Sequence, residues 1–195
     1  MLEEILSYFA KYQYPGIFLI SLISNSIPFV GVPYLNFLLI ISSFLSFEDA
    51  VLIALISALG ASLGKVIIYS IGASMRLTLS KKTKENLQFF EKIFKKWGIF
   101  AIFLFAASPL PDDVLYIPLG MAKYKLFYYF IAVFSGKVLV TSYVILMGKF
   151  TSDLMREIID NYVLSFLLFF ALTILLTIVV IKIDWKSLFE KYYKV

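Results

Sequence analysis

The sequence predicts an all-α integral membrane protein. Its expected plan is an inverted repeat of two re-entrant helical hairpins, each followed by a transmembrane helix, plus a C-terminal transmembrane helix. Three observations lead there. The 195-residue chain is 61% apolar and only 16% charged, too apolar for a water-soluble domain. Two of its apolar runs are broken in the middle by proline and polar residues. Its positive charge collects on loops that share one side of the membrane only if both broken runs turn back.

Composition also bounds the chemistry. With no cysteine there is no disulfide, no thiol nucleophile and no Cys-ligated metal. With no histidine, the commonest general base and metal ligand are missing too. No glycine loop of the phosphate-cradling kind is present. No enzymatic activity, metal or cofactor is therefore expected. The net charge of +5 sits beside apolar spans, so it signals orientation and anionic headgroups rather than nucleic acid.

Residues 1–13 place Leu2, Ile5, Leu6 and Phe9 at helical spacing, which predicts a short amphipathic helix on the membrane surface. Residues 14–46 are too many for one span of roughly 20 residues and too few for two spans and a turn. The break runs from Ser24 through Asn25, Pro28, Gly31 and Pro33, so two half-depth helices meeting at a tip account for both facts. A single kinked helix is the alternative. Residues 50–72 form the first span. Small residues crowd its middle, among them Gly60 and Gly64, and permit close helix packing. Residues 73–97 make a basic interfacial segment with Leu87, Phe90, Phe94 and Trp97 at helical spacing.

Residues 98–121 repeat the first hairpin. An apolar half precedes the break Ser108-Pro109-Leu110-Pro111-Asp112-Asp113, and a second apolar half follows it. Residues 126–148 span again, with Gly136 and Lys137 near the middle. Residues 161–181 are an uninterrupted span, and 182–195 a basic, aromatic tail. The strings Gly64-Lys65-Val66-Ile67-Ile68 and Gly136-Lys137-Val138-Leu139-Val140 match in pattern, each after a Pro-broken segment. If both broken segments return to the side they leave, most lysines share one face. The positive-inside rule makes that face cytoplasmic, with segment 73–97 and the C-terminus on it.

Four ionisable residues lie inside this apolar framework: Lys65, Asp112, Asp113 and Lys137. An isolated charge at the bilayer centre costs roughly 2.5–3.5 kcal/mol on insertion scales, so pairing is expected. Two roles stay open for them. They hold the halves together as mutual counter-ions, or they line a hydrated path for a polar group.

The pattern Gly60-x-x-x-Gly64-Lys65-x-x-x-Tyr69-x-x-Gly72, followed by Phe105-x-x-x-Pro109-x-x-Asp112 and Leu119-Gly120-Met121, resembles the DedA superfamily, also called the VTT or SNARE-associated family. The likeness covers roughly residues 20–150. It implies opposed re-entrant hairpins and the movement of phospholipid or polyprenyl phosphate between leaflets of the plasma membrane, as a flippase or scramblase. Membrane lipids are then the expected partners, protons or sodium ions the candidate coupling ions, and a monomer or homodimer the expected assembly. An ion- or proton-coupled exporter of small solutes is the alternative.

The departures from the family pattern are specific. The family commonly carries an acidic residue after the second glycine, where this chain has Lys65. It commonly carries arginine near the second prolines, where this chain has Ala107, Asp112 and Asp113. The acidic residue near the first proline is also replaced, with Asn25 and Tyr34 nearby. An exchange of signs preserves a salt bridge, which predicts contact between Lys65 and Asp112 or Asp113.

Overall fold

In the computed structural model the described residues are 2–28 (backbone alone over 2–11), 34–42, 44–76, 94, 98–108 and 112–150. Among them the chain is all-helical. The helices are α1 (Leu2–Ser26), α2 (Tyr34–Ser42), α3 (Phe47–Met75), α4 (Gly98–Ala107), α5 (Asp113–Met121) and α6 (Leu126–Phe150). The expected tip residues Gly31, Pro33, Pro109 and Pro111, most of segment 73–97, the span 161–181 and the tail 182–195 lie outside the described residues.

Among the described residues, α3 and α6 are the helices long and apolar enough to cross a membrane. Each extends beyond its expected span, 50–72 for α3 and 126–148 for α6. α3 starts where Ser46 caps it. The Ser46 hydroxyl accepts from the Asp49 N–H at 3.0 Å and donates to Asp49 Oδ2 at 2.7 Å. That pairing satisfies one of the four otherwise orphaned amides of the first turn.

The side chains of α3 are sorted by size. Ala54, Ser57, Ala58, Gly60, Ala61 and Gly64 face inward and are buried. Leu52, Leu55, Leu59 and Leu63 form an exposed stripe at helical spacing. In water such a stripe would be a large apolar patch. In lipid it is the natural outer face, and small residues inside let backbones approach.

The contacts of α1 differ from the sequence expectation at one boundary. The helix does not end near residue 13 but runs unbroken through Pro15 to Ser26. Pro15 is exposed; it removes one intrahelical hydrogen bond and crowds the carbonyl one turn back, a cost of about 3 kcal/mol that the packing of α1 on α3 offsets. The Tyr14 hydroxyl donates to Asp49 Oδ1 at 2.6 Å, which fixes that part of α1 beside the start of α3. Further along, Ser21 and Ser57 share a hydroxyl hydrogen bond of 2.8 Å. A Cβ on Gly60 or Gly64 would collide with the α1 backbone at Phe18, Leu22 or Asn25. α1 therefore runs alongside α3 in the same direction and stops level with the α3 midpoint.

α2 then packs on α6 rather than on α1. A Cβ on Gly148 would strike Leu39 and Ser42. Lys149 donates to the Leu45 carbonyl at 2.5 Å. Residues 14, 45–49 and 149 thus share one end of the molecule.

The second half is assembled the same way. Gly98 lies against the Tyr124 ring, so α4 begins where α5 ends. Gly136 of α6 is packed against Phe103, Ala106 and Ala107 of α4. α5 crosses to α3, where Gly72 meets Ile117 and Gly120 meets Tyr69 and Ala73. The Tyr69 hydroxyl and Arg76 donate to the Tyr124 and Met121 carbonyls at this end. α5 closes in a turn where the Lys123 and Tyr124 amides bond back to the Gly120 and Leu119 carbonyls, with Lys123 at φ 54°.

α3 and α6 themselves meet at two polar contacts. The Tyr129 hydroxyl donates to the Lys65 carbonyl at 2.8 Å, and Thr141 Oγ1, 2.7 Å from the Lys137 carbonyl of its own helix, lies 3.1 Å from the Ala54 carbonyl. These pairings place α3 and α6 antiparallel.

Candidate charge cluster between the broken segments

Each long helix carries one lysine beside a glycine contact. Lys65 follows Gly64, where α1 packs, and Lys137 follows Gly136, where α4 packs. Both residues are buried, with relative exposures of 5% and 6%. Glycine at these two positions lets the end of a broken segment pack directly on the long helix beside each lysine.

The acidic partners come from the start of α5. Asp112 is the residue before its first turn and Asp113 its first helical residue, so both carboxylates sit at a helix N-terminus, where the backbone dipole favours negative charge. Asp112 makes no side-chain cap bond. Its carboxylate is taken instead by lysines. Lys65 Nζ lies 2.9 Å from Asp112 Oδ1 and 2.7 Å from Asp113 Oδ1. Lys137 Nζ lies 2.7 Å from Asp112 Oδ2. Asp112 thus bridges the lysines of the two long helices, and both aspartates are about as buried as the lysines.

Four buried charges cancel in sign. A lone buried ion would cost several kcal/mol, and the direct pairing at hydrogen-bond distance offsets that cost. Aromatic rings surround the pairs. The Tyr116 ring lies under Lys65, with Nζ 6.0 Å from its centroid. Tyr129 meets Tyr116 edge-on at 5.2 Å, and Tyr69 is 4.9 Å from Tyr129. This ladder leads from the cluster toward the Tyr124 end.

The structure brings together all four ionisable residues singled out in the sequence. Asn25 reaches the same level from α1, packed on Gly64, with its amide donating to the Ser21 carbonyl at 2.8 Å. Ser108 stands just after α4, where its hydroxyl turns back to the Phe105 carbonyl. Pro28 lies in a turn just beyond α1. Gly60, Gly64 and Gly136 sit at helix contacts, and Gly72, Gly120 and Gly148 do so as well.

Sequence reasoning missed the last three glycines as packing sites and missed Tyr116, and it noted Tyr34 only as a neighbour of the first break. Both tyrosine hydroxyls are buried beside the cluster, that of Tyr34 next to Asn25 and that of Tyr116 next to Asp112. The available signal for Tyr34 was its place directly after Pro33. No group of three or more His, Cys, Asp or Glu that could hold a metal occurs among the described residues.

Comparison with known proteins places this arrangement. The chain is 29% identical over 146 residues to the uncharacterized protein MJ0201 of Methanocaldococcus jannaschii, an alignment covering 74% of this chain and 89% of that one. No solved structure matches the chain. The family described as the VTT domain matches residues 32–150, from the first break to the end of α6. The chain therefore belongs to the VTT domain (DedA) family of membrane proteins.

Proposed function

We propose that this protein moves lipids between membrane leaflets, as a flippase or scramblase for phospholipid or polyprenyl phosphate. The headgroup passes the buried Lys65–Asp112–Asp113–Lys137 cluster while the tails stay in the bilayer. The observation that carries this reading is the cluster itself. Hydrocarbon penalises charge, so four ionisable groups gathered at mid-helix depth beside two chain breaks mark a polar path by default.

On this reading residues 14–46 and 98–121 are re-entrant hairpins that dip from opposite faces. Support comes from the contacts at their ends: Tyr14 and Leu45 reach one end of the molecule, Gly98 and Tyr124 the other. The antiparallel relation of α3 and α6 gives the halves opposite orientations, as an inverted repeat requires. Segment 73–97 and the C-terminus face the cytoplasm of the plasma membrane, where their lysines concentrate anionic headgroups. Any energy coupling runs through proton or sodium-ion gradients.

The test is reconstitution. Phospholipids labelled on an acyl chain, and a labelled polyprenyl phosphate, are followed across proteoliposomes and empty vesicles. Faster exchange of a lipid with protein supports the reading. Exchange no faster than in empty vesicles, from monodisperse folded protein, overturns it in favour of a small-solute exporter.

A further inference from the structure

The two ends of the molecule differ in charge. At the Tyr14 end, Glu48 and Asp49 accompany Lys149. The Tyr124 end carries Arg76, Lys123 and Lys125 and no acidic residue among the described residues. α6 begins there with no acid in its first turn. The sequence joining α3 to α4, residues 77–97, has six lysines against two glutamates, so it adds to the excess instead of cancelling it. Cations gathered at one surface repel each other, and anions from another molecule relieve that repulsion.

The cations are placed by different devices. Arg76 caps the end of α3, and its Nη1 donates to the Met121 carbonyl at 2.9 Å. That bond fixes the half-buried guanidinium beside the turn that closes α5 and uses only one of its N–H donors. Lys123 is exposed in that same turn, which the Gly120 and Leu119 carbonyls pin. Lys125 is exposed too, and its Nζ lies 5.7 Å from the centroid of the Tyr128 ring. Exposed aromatic rings follow directly, Phe127 and Tyr128 in the first turn of α6 and Phe100 in that of α4. Cationic tips next to exposed rings are the composition of a membrane–water boundary. The rings sit at the upper acyl chains and the cations reach the phosphates.

We propose that the Tyr124 end is a docking surface for anionic phospholipids of the leaflet it faces, with Arg76 as the residue that grips the phosphate. A guanidinium held by one donor still offers paired N–H groups in a plane, a geometry that matches two phosphate oxygens. Lys123 and Lys125 add attraction, each strengthening binding about fivefold near an anionic surface. A zwitterionic headgroup brings its own ammonium to a surface that is already cationic, so it binds less tightly. This surface lies at the end of the molecule, apart from the buried Lys65–Asp112–Asp113–Lys137 cluster, and it retains lipid whether or not the protein transports any.

The test uses the full chain in phosphatidylcholine-containing mixed micelles. The midpoint of thermal unfolding is followed as phosphatidylglycerol, more phosphatidylcholine or inorganic phosphate is added, which gives an apparent affinity for each. Phosphatidylglycerol is expected to raise the midpoint of wild type more than phosphatidylcholine does, by an amount that shrinks as sodium chloride is raised. Lys123→Gln/Lys125→Gln alters two exposed side chains and is expected to weaken the apparent affinity for phosphatidylglycerol about tenfold or more. Arg76→Lys keeps the charge but loses the paired donors, and is expected to weaken it about fivefold. Lys81→Gln/Lys82→Gln removes the same charge elsewhere and is expected to cost less than the Lys123/Lys125 pair. Phosphatidylglycerol acting no more strongly than phosphatidylcholine overturns the proposal and leaves the patch to an acidic protein partner. Inorganic phosphate acting as strongly as the lipid overturns it in favour of a free-anion site. Equal losses from the two lysine pairs overturn the assignment to this surface, and a wild-type response in Arg76→Lys overturns the role given to Arg76.

Discussion

Asp112 is the residue on which the two halves depend most directly, because its two carboxylate oxygens bind lysines from two different helices. Removing it strands Lys137 in a buried setting and leaves Lys65 with Asp113. Breaking a buried pair costs about 3–5 kcal/mol, so Asp112→Ala should lower the unfolding temperature in detergent well below that of wild type. An exchange of signs is a sharper probe. Lys65→Asp alone and Asp113→Lys alone should each destabilise strongly, and the combined variant should recover a substantial part of the loss. A double variant no better than the sum of the singles would mean that the pair does not interact. These charges were legible in the sequence because charge inside an apolar run is conspicuous. The two tyrosine hydroxyls were not, since a tyrosine in such a run resembles any other aromatic of the 13 tyrosines and 20 phenylalanines. Only three-dimensional placement reveals that their hydroxyls face the ion pairs.

The elements are held by backbone-to-backbone approach, and glycine decides where that is possible. A Cβ on Gly120 would overlap the Tyr69 carbonyl oxygen and press on Ala73. Gly120→Ala should therefore destabilise by about 1–3 kcal/mol, as overpacking does. Gly16 offers the contrast, because a Cβ there meets nothing within 4 Å. Gly16→Ala should be neutral or stabilising by up to about 1 kcal/mol, from helix propensity alone. Thermal unfolding of both variants under one detergent condition checks the pair. Lys123 is the converse case: at φ 54° it occupies a conformation that glycine adopts without strain, so Lys123→Gly should stabilise by about 1 kcal/mol. The existence of the helices was readable from apolar periodicity and from the breaks. Their partners were not. Nothing in the sequence of α2 says that it leaves α1 for α6, since that choice rests on the fit of Leu39 and Ser42 against Gly148. The helix also runs on past the boundary expected near residue 13, because the packing of Tyr14 and Ile17 at the start of α3 holds α1 together across Pro15.

At the scale of the whole molecule, each long helix is flanked by one broken segment from its own half and one from the other half, α3 by α1 and α5, α6 by α4 and α2. Gly60, Gly64 and Gly136 pack within their own halves, whereas Gly72, Gly120 and Gly148 and the charge cluster join one half to the other. The absence of native cysteine makes the proposed orientation simple to read. In intact cells, Ser46→Cys should label from outside with an impermeant thiol reagent, and Lys123→Cys only after permeabilisation. Labelling of both from the same side would exclude the opposed hairpins.

The central claim is that headgroups pass the buried cluster, and it is tested most directly by the translocation rate of an acyl-labelled phospholipid in Asp112→Asn proteoliposomes. The account predicts a rate at least about tenfold below wild type from equally monodisperse protein, since the loss of a charged hydrogen-bond acceptor is worth about 1.5–3 kcal/mol. A rate equal to wild type would contradict it and leave Lys65, Asp112, Asp113 and Lys137 as counter-ions that only hold the halves together.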